Sequence, residues 1–387
     1  GSLPMASAGG STGLAATAEG GLLGHRGAGA FVLRDAGDLR LTRDQWLSDE
    51  FAQVVAFARS LMTPNLAPGT PAGWVIDADV QLGWMRFHPV TPDAAAWTVM
   101  LLMMNEELTG DPAAQGDVRL ILQRYAGLAP DGVAPSRTAD GIYRHWIDPM
   151  TGGVKSGWDP EYATLSTMKM VHAAARAWAR YPDDAEIEAS ARAIICGVTN
   201  WDAYFRNSGT QLAFKGLVGG GPDGGSWSGG WHEGMLFAEQ AGAYGGAAGD
   251  VAAGRWTSPG GWPSVSSYAG LPVTGGASGQ YQATFITGYA NLWSVPFRAS
   301  ASWRFHTLGL RLAQQAWTDD NSPRFATVFS AGTTKAEWGG YNADSLSFHL
   351  GDVTTFPSLM SLAGRVATAG ESPLAEAVGA YQAYRRG

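Results

Sequence analysis

The chain has one cysteine among 387 residues, so no disulfide can form within it. Cys196 stands in the apolar run ARAIICGVTNW, which predicts a small buried hydrophobe. Charge is also scarce, at 16% of residues, and the net charge is −8 with no Lys/Arg cluster. That balance argues against nucleic acid or an anionic membrane as the partner. No apolar run reaches membrane-spanning length, so no membrane insertion is expected. His232-Glu233 lacks the second His four positions on that a zinc-protease helix needs, and neither a GxSxG elbow nor a paired-Cys motif occurs. Gly219, Gly221 and Gly224 have the GxGxxG spacing, but Pro222 to Gly230 cannot open the helix a dinucleotide site requires. No metal or organic cofactor is implied.

What is plentiful is glycine and aromatic residues: 53 Gly, 16 Trp, 12 Tyr and 14 Phe. Many Trp lie in Gly-flanked polar stretches, among them Trp158, Trp227, Trp231, Trp256, Trp262 and Trp338. Flat aromatic faces on loops suit the apolar faces of sugar rings; large aromatics pinning loops to a core would look the same. A neutral ligand is easier to accommodate, and an oligo- or polysaccharide would be one such partner. The opening GSLPMASAGGSTGLAATAEGG reads as a cloning remnant and a flexible arm over residues 1–27, leaving 28–387 as one large domain. A signal peptide cleaved ahead of it would fit a periplasmic or secreted bacterial protein.

Apolar periodicity predicts helix after helix. Thr42 to Met62 repeats Leu47, Phe51, Val54, Ala58 and Leu61; Thr91-Pro92-Asp93 carries the cap, proline and early acid of a helix start. Asp111-Pro112 gives the same signal. Leu165, Met168, Val171, Ala175 and Trp178 mark an inner face whose outer side would hold Lys169, Arg176 and Arg180. Its partner runs from Ala185 to Phe205. Further helices are expected at Glu233 to Ala241, Ala299 to Trp317 (Phe305, Leu308, Leu312 and Ala316 inside), Phe356 to Ala369 and Pro373 to Arg385. Strand-like pieces are few, Gly141 to Ile147 and Gln211 to Val218. So many helices with long Gly-rich connections fit an all-α barrel or toroid better than a bundle.

The chemistry left is that of carboxylates. Glycoside hydrolysis commonly takes one carboxylic acid to protonate the leaving oxygen and one carboxylate as base or nucleophile. Glu161 and Glu233 each follow a Gly/Trp-rich loop (SGWDPE and GSWSGGWHE) at an expected helix start, so both could face one cavity. In the plainer alternative each merely complements its helix dipole, with Asp159 as the N-cap before Pro160. Asp148 in IDPMTGG reads as a turn-former.

The order of motifs resembles a known family. HWIDPMTGG, EYATLST, WHEGMLFAEQAG, YQATFITGYANLWSVPFR and AEWGGYNADS follow one another over roughly residues 141 to 346, as they do in the glucoamylase-like α/α-barrel glycoside hydrolases. That family includes endo-β-1,2-glucanases and the glucan-processing domains of cyclic β-1,2-glucan synthases. The resemblance implies an (α/α)6 barrel cleaving a β-glucan, with β-1,2-glucan as the leading substrate. It implies Glu233 as general acid, Glu161 as base or base-assisting carboxylate, and Glu337 and Asp344 as reserves for Glu161. Trp158, Trp231, Trp293 and Trp338 would line sugar subsites beside His232 and Tyr289, and Arg298 would bind hydroxyls or orient a carboxylate. Departures from the family pattern are His232 for an Asn, Lys169 near a usual Asp, and Tyr281 and Tyr289 near common His positions. A non-catalytic sugar-binding barrel and an α/α-barrel polysaccharide lyase stay open as alternatives.

Overall fold

The computed structural model describes residues 14–16, 22–26, 29–33, 52–63, 69–77, 89–207, 209, 211–228, 233–245, 254, 266–273, 288–290, 293–321, 331–333 and 341–343. Residues read as an N-terminal arm contribute to a three-stranded antiparallel sheet, β1 (Leu14–Ala16), β2 (Leu22–Arg26) and β3 (Gly29–Leu33).

The rest is helix-rich. After α1, residues 52–60, come α2 (Pro92–Thr109) and α3 (Ala114–Ala126). The start of α2 is the one the local signals predict: Thr91 Oγ1 accepts from Ala94 N, Pro92 fills the first turn, and Gly110 closes the helix in the left-handed region. Asp111 does not open α3; its Oδ1 instead accepts from Ala113 N at 3.0 Å, and the helix begins a residue later. The next hairpin is α4 (Thr164–Arg180) and α5 (Ala185–Ile195), the latter capped by Asp184 through Glu186 N and Ile187 N. Expected to reach Phe205, α5 stops before Gly197, and a 3-10 turn, Asp202–Tyr204, takes over the burial of Tyr204. Cys196 at its end is exposed, which corrects the expected burial.

Helix α6 (Gly234–Tyr244) follows a small sheet, and α7 (Val295–Ala299) leads into α8 (Ala301–Asn321). The buried residues of α8 include Trp303, Thr307, Leu310 and Gln314, whereas the expected Phe305 and Leu312 are exposed and Leu308 and Ala316 half-buried. The apolar stripe was read one face away from the buried one. The helices expected at 356–369 and 373–385 lie outside the described residues.

Packing sorts the helices into two rows. Helices α2, α4 and α6 lie side by side in succession; α3 and α5 pack behind α2 and α4 and against each other. A helix covered on several sides must be apolar around most of its circumference, and α4 is: Ser166 to Val171 are all buried, with Ala173, Ala174 and Ala177. Lys169 is part of that run, at 7% exposure, so it is not on an outer face as its charge suggested. One cluster joins Trp74, Val99, Leu122, Tyr143, Met168, Ile194, Phe237, Trp293 and Trp303.

The short strands position the loops before α4 and α6. β4 (Tyr162–Ala163) and β5 (Phe205–Arg206) pair with opposite ends of β6 (Gln211–Gly216), and β7 (Pro222–Ser228) pairs with β6 over its length. β7 was not read from PDGGSWS because Gly, Pro and Asp carry no strand preference; its pairing with β6 overrides that. Gly141 to Ile147 forms isolated antiparallel bridges instead of a regular strand: Tyr143 with Arg137, Arg144 with Tyr162, Ile147 with Val90 and Val154.

Gly141 is required at the head of that segment. Its φ is +95°, and an added Cβ would sit 1.8 Å from the Gly197 carbonyl oxygen. Gly141→Ala is expected to destabilise the chain by roughly 2–4 kcal/mol, read by urea unfolding; a loss under about 0.5 kcal/mol would show that the segment relaxes freely.

Candidate functional site

The N-terminal ends of α2, α4 and α6 meet, and each brings an ionisable group. Asp93 lies in the first turn of α2, Lys169 in the second turn of α4, and Glu233 at the N-cap of α6. Lys169 Nζ stands 2.6 Å from Asp93 Oδ1 and 2.7 Å from Glu233 Oε2. It also lies 5.3 Å from the ring centre of Tyr289. Ser166, one turn before Lys169, donates its hydroxyl to the second oxygen of Asp93.

The chain of contacts continues. His145 Nε2 is 3.7 Å from Asp93 Oδ2, and His145 Nδ1 donates to Glu161 Oε1 in a short contact. Glu161 Oε2 is 2.9 Å from Lys215 Nζ on β6, which also binds Asp159 at 2.7 Å. Glu161 and Glu233 are thus joined through Lys169, Asp93 and His145. Side-chain exposure falls along the series, from 18–21% at Glu161, His145 and Asp93 to 7% at Glu233.

Glu161 is not in the first turn of a helix, so its alternative as a dipole partner fails. It precedes β4 in extended chain, held by His145 N donating to Glu161 O at 3.0 Å, and α4 starts only at Thr164. Asp159 is therefore no N-cap of α4; it is an exposed partner of Lys215. Asp148 forms the expected turn, accepting from Met150 N on its side chain and from Gly152 N on its carbonyl.

Proton affinities diverge along this series. Burial raises Glu233, and although Lys169 pulls it back, its carboxyl stays above the ordinary range. Burial alone would raise Asp93 too, but Lys169 and His145 outweigh it and hold Asp93 low. Glu161 is likewise buried, yet the His145 hydrogen bond and Lys215 bring it down to about 2. Burial would lower His145; Glu161 and Asp93 reverse that and keep it raised. His172, a turn beyond Lys169, is pushed down to about 3 by burial and Arg176, so it is neutral near pH 7. One carboxyl with a raised affinity beside firmly ionised ones is how acid and base roles are separated in a single site.

Of the expected sugar-contacting residues, Trp158 is half-buried and lies against Trp146, centroids 4.7 Å apart, while Trp146 stacks on His145 at 3.9 Å. This aromatic row starts at the ionised cluster and runs away from it. Tyr289 is half-buried, beside Lys169 and in edge contact with Trp97. Trp293 is 1% exposed and packs on Trp97, so it belongs to the core and cannot stack on a sugar. Arg298 lies on α7, where only its backbone is described. Trp231, His232, Glu337, Trp338 and Asp344 lie outside the described residues. Asp93, His145 and Lys169 were not picked out as site residues. His145 stood in HWIDP, and Asp93 and Lys169 looked like an ordinary helix acid and a surface lysine. Among the described residues, no group of His, Cys, Asp and Glu is arranged to hold a metal, and no helix is long and apolar enough to cross a membrane.

No protein-family model matches the chain, and no curated protein does so significantly. Solved structures do match in fold. A protein assigned as a glucoamylase from Bacteroides uniformis superposes with TM-score 0.57 at 14% identity, over 77% of this chain and 74% of that one. Another so assigned, from Bacteroides caccae, gives 0.52 at 16%, over 77% and 75%. The β-1,2-glucanase of Parabacteroides distasonis gives 0.55 at 13%, over 84% of this chain, which spans about half (49%) of the glucanase. The chain therefore has the fold of the glucoamylase-like glycoside hydrolases.

The ion pairs of Glu161 make a pH signature. Its folded value, about 2, lies below the ordinary 4.5, so its stabilisation is present above pH 4.5 and lost as pH falls toward 2. Glu161→Gln is expected to remove on the order of 2–3 kcal/mol near pH 6 and to flatten the acid limb of stability. Urea midpoints taken across pH check this; parallel curves for the two proteins would refute it.

Proposed function

We propose that this chain is a glycoside hydrolase of the glucoamylase-like fold, cleaving a β-glucan, with β-1,2-glucan the leading substrate. The observation that carries the reading is Glu233: a carboxyl of raised proton affinity at a helix N-terminus, joined through Lys169 and Asp93 to His145, on which a row of half-buried aromatics begins. The rows α2/α4/α6 and α3/α5 are taken as one arc of an (α/α)6 toroid spanning residues 28–387. A β-1,2-glucanase among the structures of like fold supports the substrate.

In this reading Glu233 gives its proton to the glycosidic oxygen as the bond to the anomeric carbon breaks, and the departing sugar leaves as an alcohol. Water adds to the anomeric carbon and yields a proton to a carboxylate, for which Glu337 and Asp344 are the candidates. Glu161, whose proton affinity is held down to about 2 by His145 and Lys215, is a further candidate for that base or for a base-assisting carboxylate. In the base-assisting role it orients His145 through their hydrogen bond. Trp158, with Trp231 and Trp338, offers faces to successive sugar rings, and Tyr289, His232 and Arg298 bind hydroxyls. A polymeric substrate fits a periplasmic or secreted location.

Linear β-1,2-, β-1,3- and β-1,4-glucans, screened with product chromatography, test the reading. Cleavage of one of them is expected, and Glu233→Gln is expected to lower it about 10²- to 10⁴-fold. Trp158→Ala should raise KM several-fold with less effect on kcat. Full activity in Glu233→Gln removes Glu233 as the acid. Products absorbing in the ultraviolet through a new double bond would identify a lyase instead, and binding without cleavage a non-catalytic barrel.

A further inference from the structure

Three observations converge on Lys169. It is a lysine buried within α4, where its neighbours Met168, Met170 and Val171 are core residues. Its ammonium touches one carboxylate from the helix on each side, Asp93 of α2 and Glu233 of α6. Its remaining surroundings are the Tyr289 ring and, through Asp93, the His145 and Ser166 side chains. A buried lysine is costly unless its charge is answered, and here two carboxylates answer it.

Without that ammonium, Asp93 and Glu233 would be neighbouring buried carboxyls, and two such groups retain one proton between them. The two are not equivalent. Asp93 also accepts from Ser166 and faces His145, so its charge is solvated twice over; Glu233 Oε2 has no hydrogen bond in good geometry among the described groups. The proton therefore belongs to Glu233.

We propose that Lys169 is the positioning residue of the site: its ammonium holds the Asp93 and Glu233 carboxyls in place and limits how tightly the pair keeps its proton, while Ser166 and His145 on Asp93 leave that proton on Glu233. This rests on the hydrolase reading for its consequence in catalysis, but the geometry it concerns exists with or without turnover. Among the described residues, the groups facing the ammonium are Asp93 from α2, Glu233 from α6 and Tyr289, with His145 one contact further. Lys169 is neither acid nor base in the reaction, since its charge is locked by both partners.

The experiment compares wild type, Lys169→Met and Lys169→Arg by carbon-13 carboxyl NMR, the Glu233 signal being assigned by its absence in Glu233→Gln. Removing a cation in contact lets both carboxyls hold protons more tightly. In Lys169→Met the Glu233 titration is expected to move up by about 1 pH unit or more, and Asp93 to move up with it. On a cleaved glucan the alkaline limb of kcat/KM should move up by the same amount, because the acid stays protonated to higher pH. Lys169→Arg keeps the charge, and its titration should stay within about half a unit of wild type. If Lys169→Met does not fold, Lys169→Gln takes its place.

Unchanged Glu233 titration in a folded neutral variant, or an arginine variant that behaves like the neutral one, overturns the proposal and leaves Lys169 a structural residue. Wild type that cleaves no glucan while the carboxyl titrations shift as expected sinks the hydrolase reading and leaves the positioning role standing.

Discussion

A single ammonium, that of Lys169, ties together the helices α2, α4 and α6. Asp93, Lys169 and Glu233 come from α2, α4 and α6, and the ammonium is in contact with both carboxylates. All three side chains sit near N-terminal helix ends, where the backbone already favours negative charge. Deleting one member of such a buried set leaves an uncompensated charge, a loss of about 3–5 kcal/mol, so the ends of these helices are not free to drift apart. The Trp97, Tyr289 and Trp293 rings pack nearby and complete the wall.

From that point charges alternate outward through His145 and Glu161 to Lys215 and Asp159, and exposure rises along the way. The inner end is dry and favours a protonated carboxyl; the outer end is wetter and doubly paired and favours ionised ones. Burial alone would push Glu233, Asp93 and Glu161 up. The cations decide otherwise at Asp93 and Glu161, whose proton affinity falls below the ordinary value while that of Glu233 stays above it. The aromatic row Trp146 and Trp158 begins where this gradient reaches solvent.

Much of the architecture could be read locally. The Thr91 cap and Pro92 mark the start of α2, because capping is a matter of a few consecutive residues. The Asp148 turn followed from the same chemistry. Readings that depended on a partner fared worse. Lys169 was assigned to solvent because a charge on a helix predicts solvent; the two carboxylates that let it be buried lie 76 residues before it and on α6 after it. Trp293 looked like a sugar platform and is core, and the face of α8 was taken one stripe too far round.

By itself, then, the sequence determined the helix-rich class, the starts of α2, α5 and α6, the prominence of Glu161 and Glu233, and a family likeness in motif order. These depend on periodicity, capping and residue type, which are properties of neighbouring positions. Only the tertiary structure decided that Glu161 precedes a helix instead of opening one. It also decided that Glu161 meets His145 and Lys215 while Glu233 meets Lys169, and that Asp93 stands between the two. Those contacts join residues far apart in the chain, and the proton affinity of a carboxyl is set by the charges and water that reach it, which no local pattern encodes.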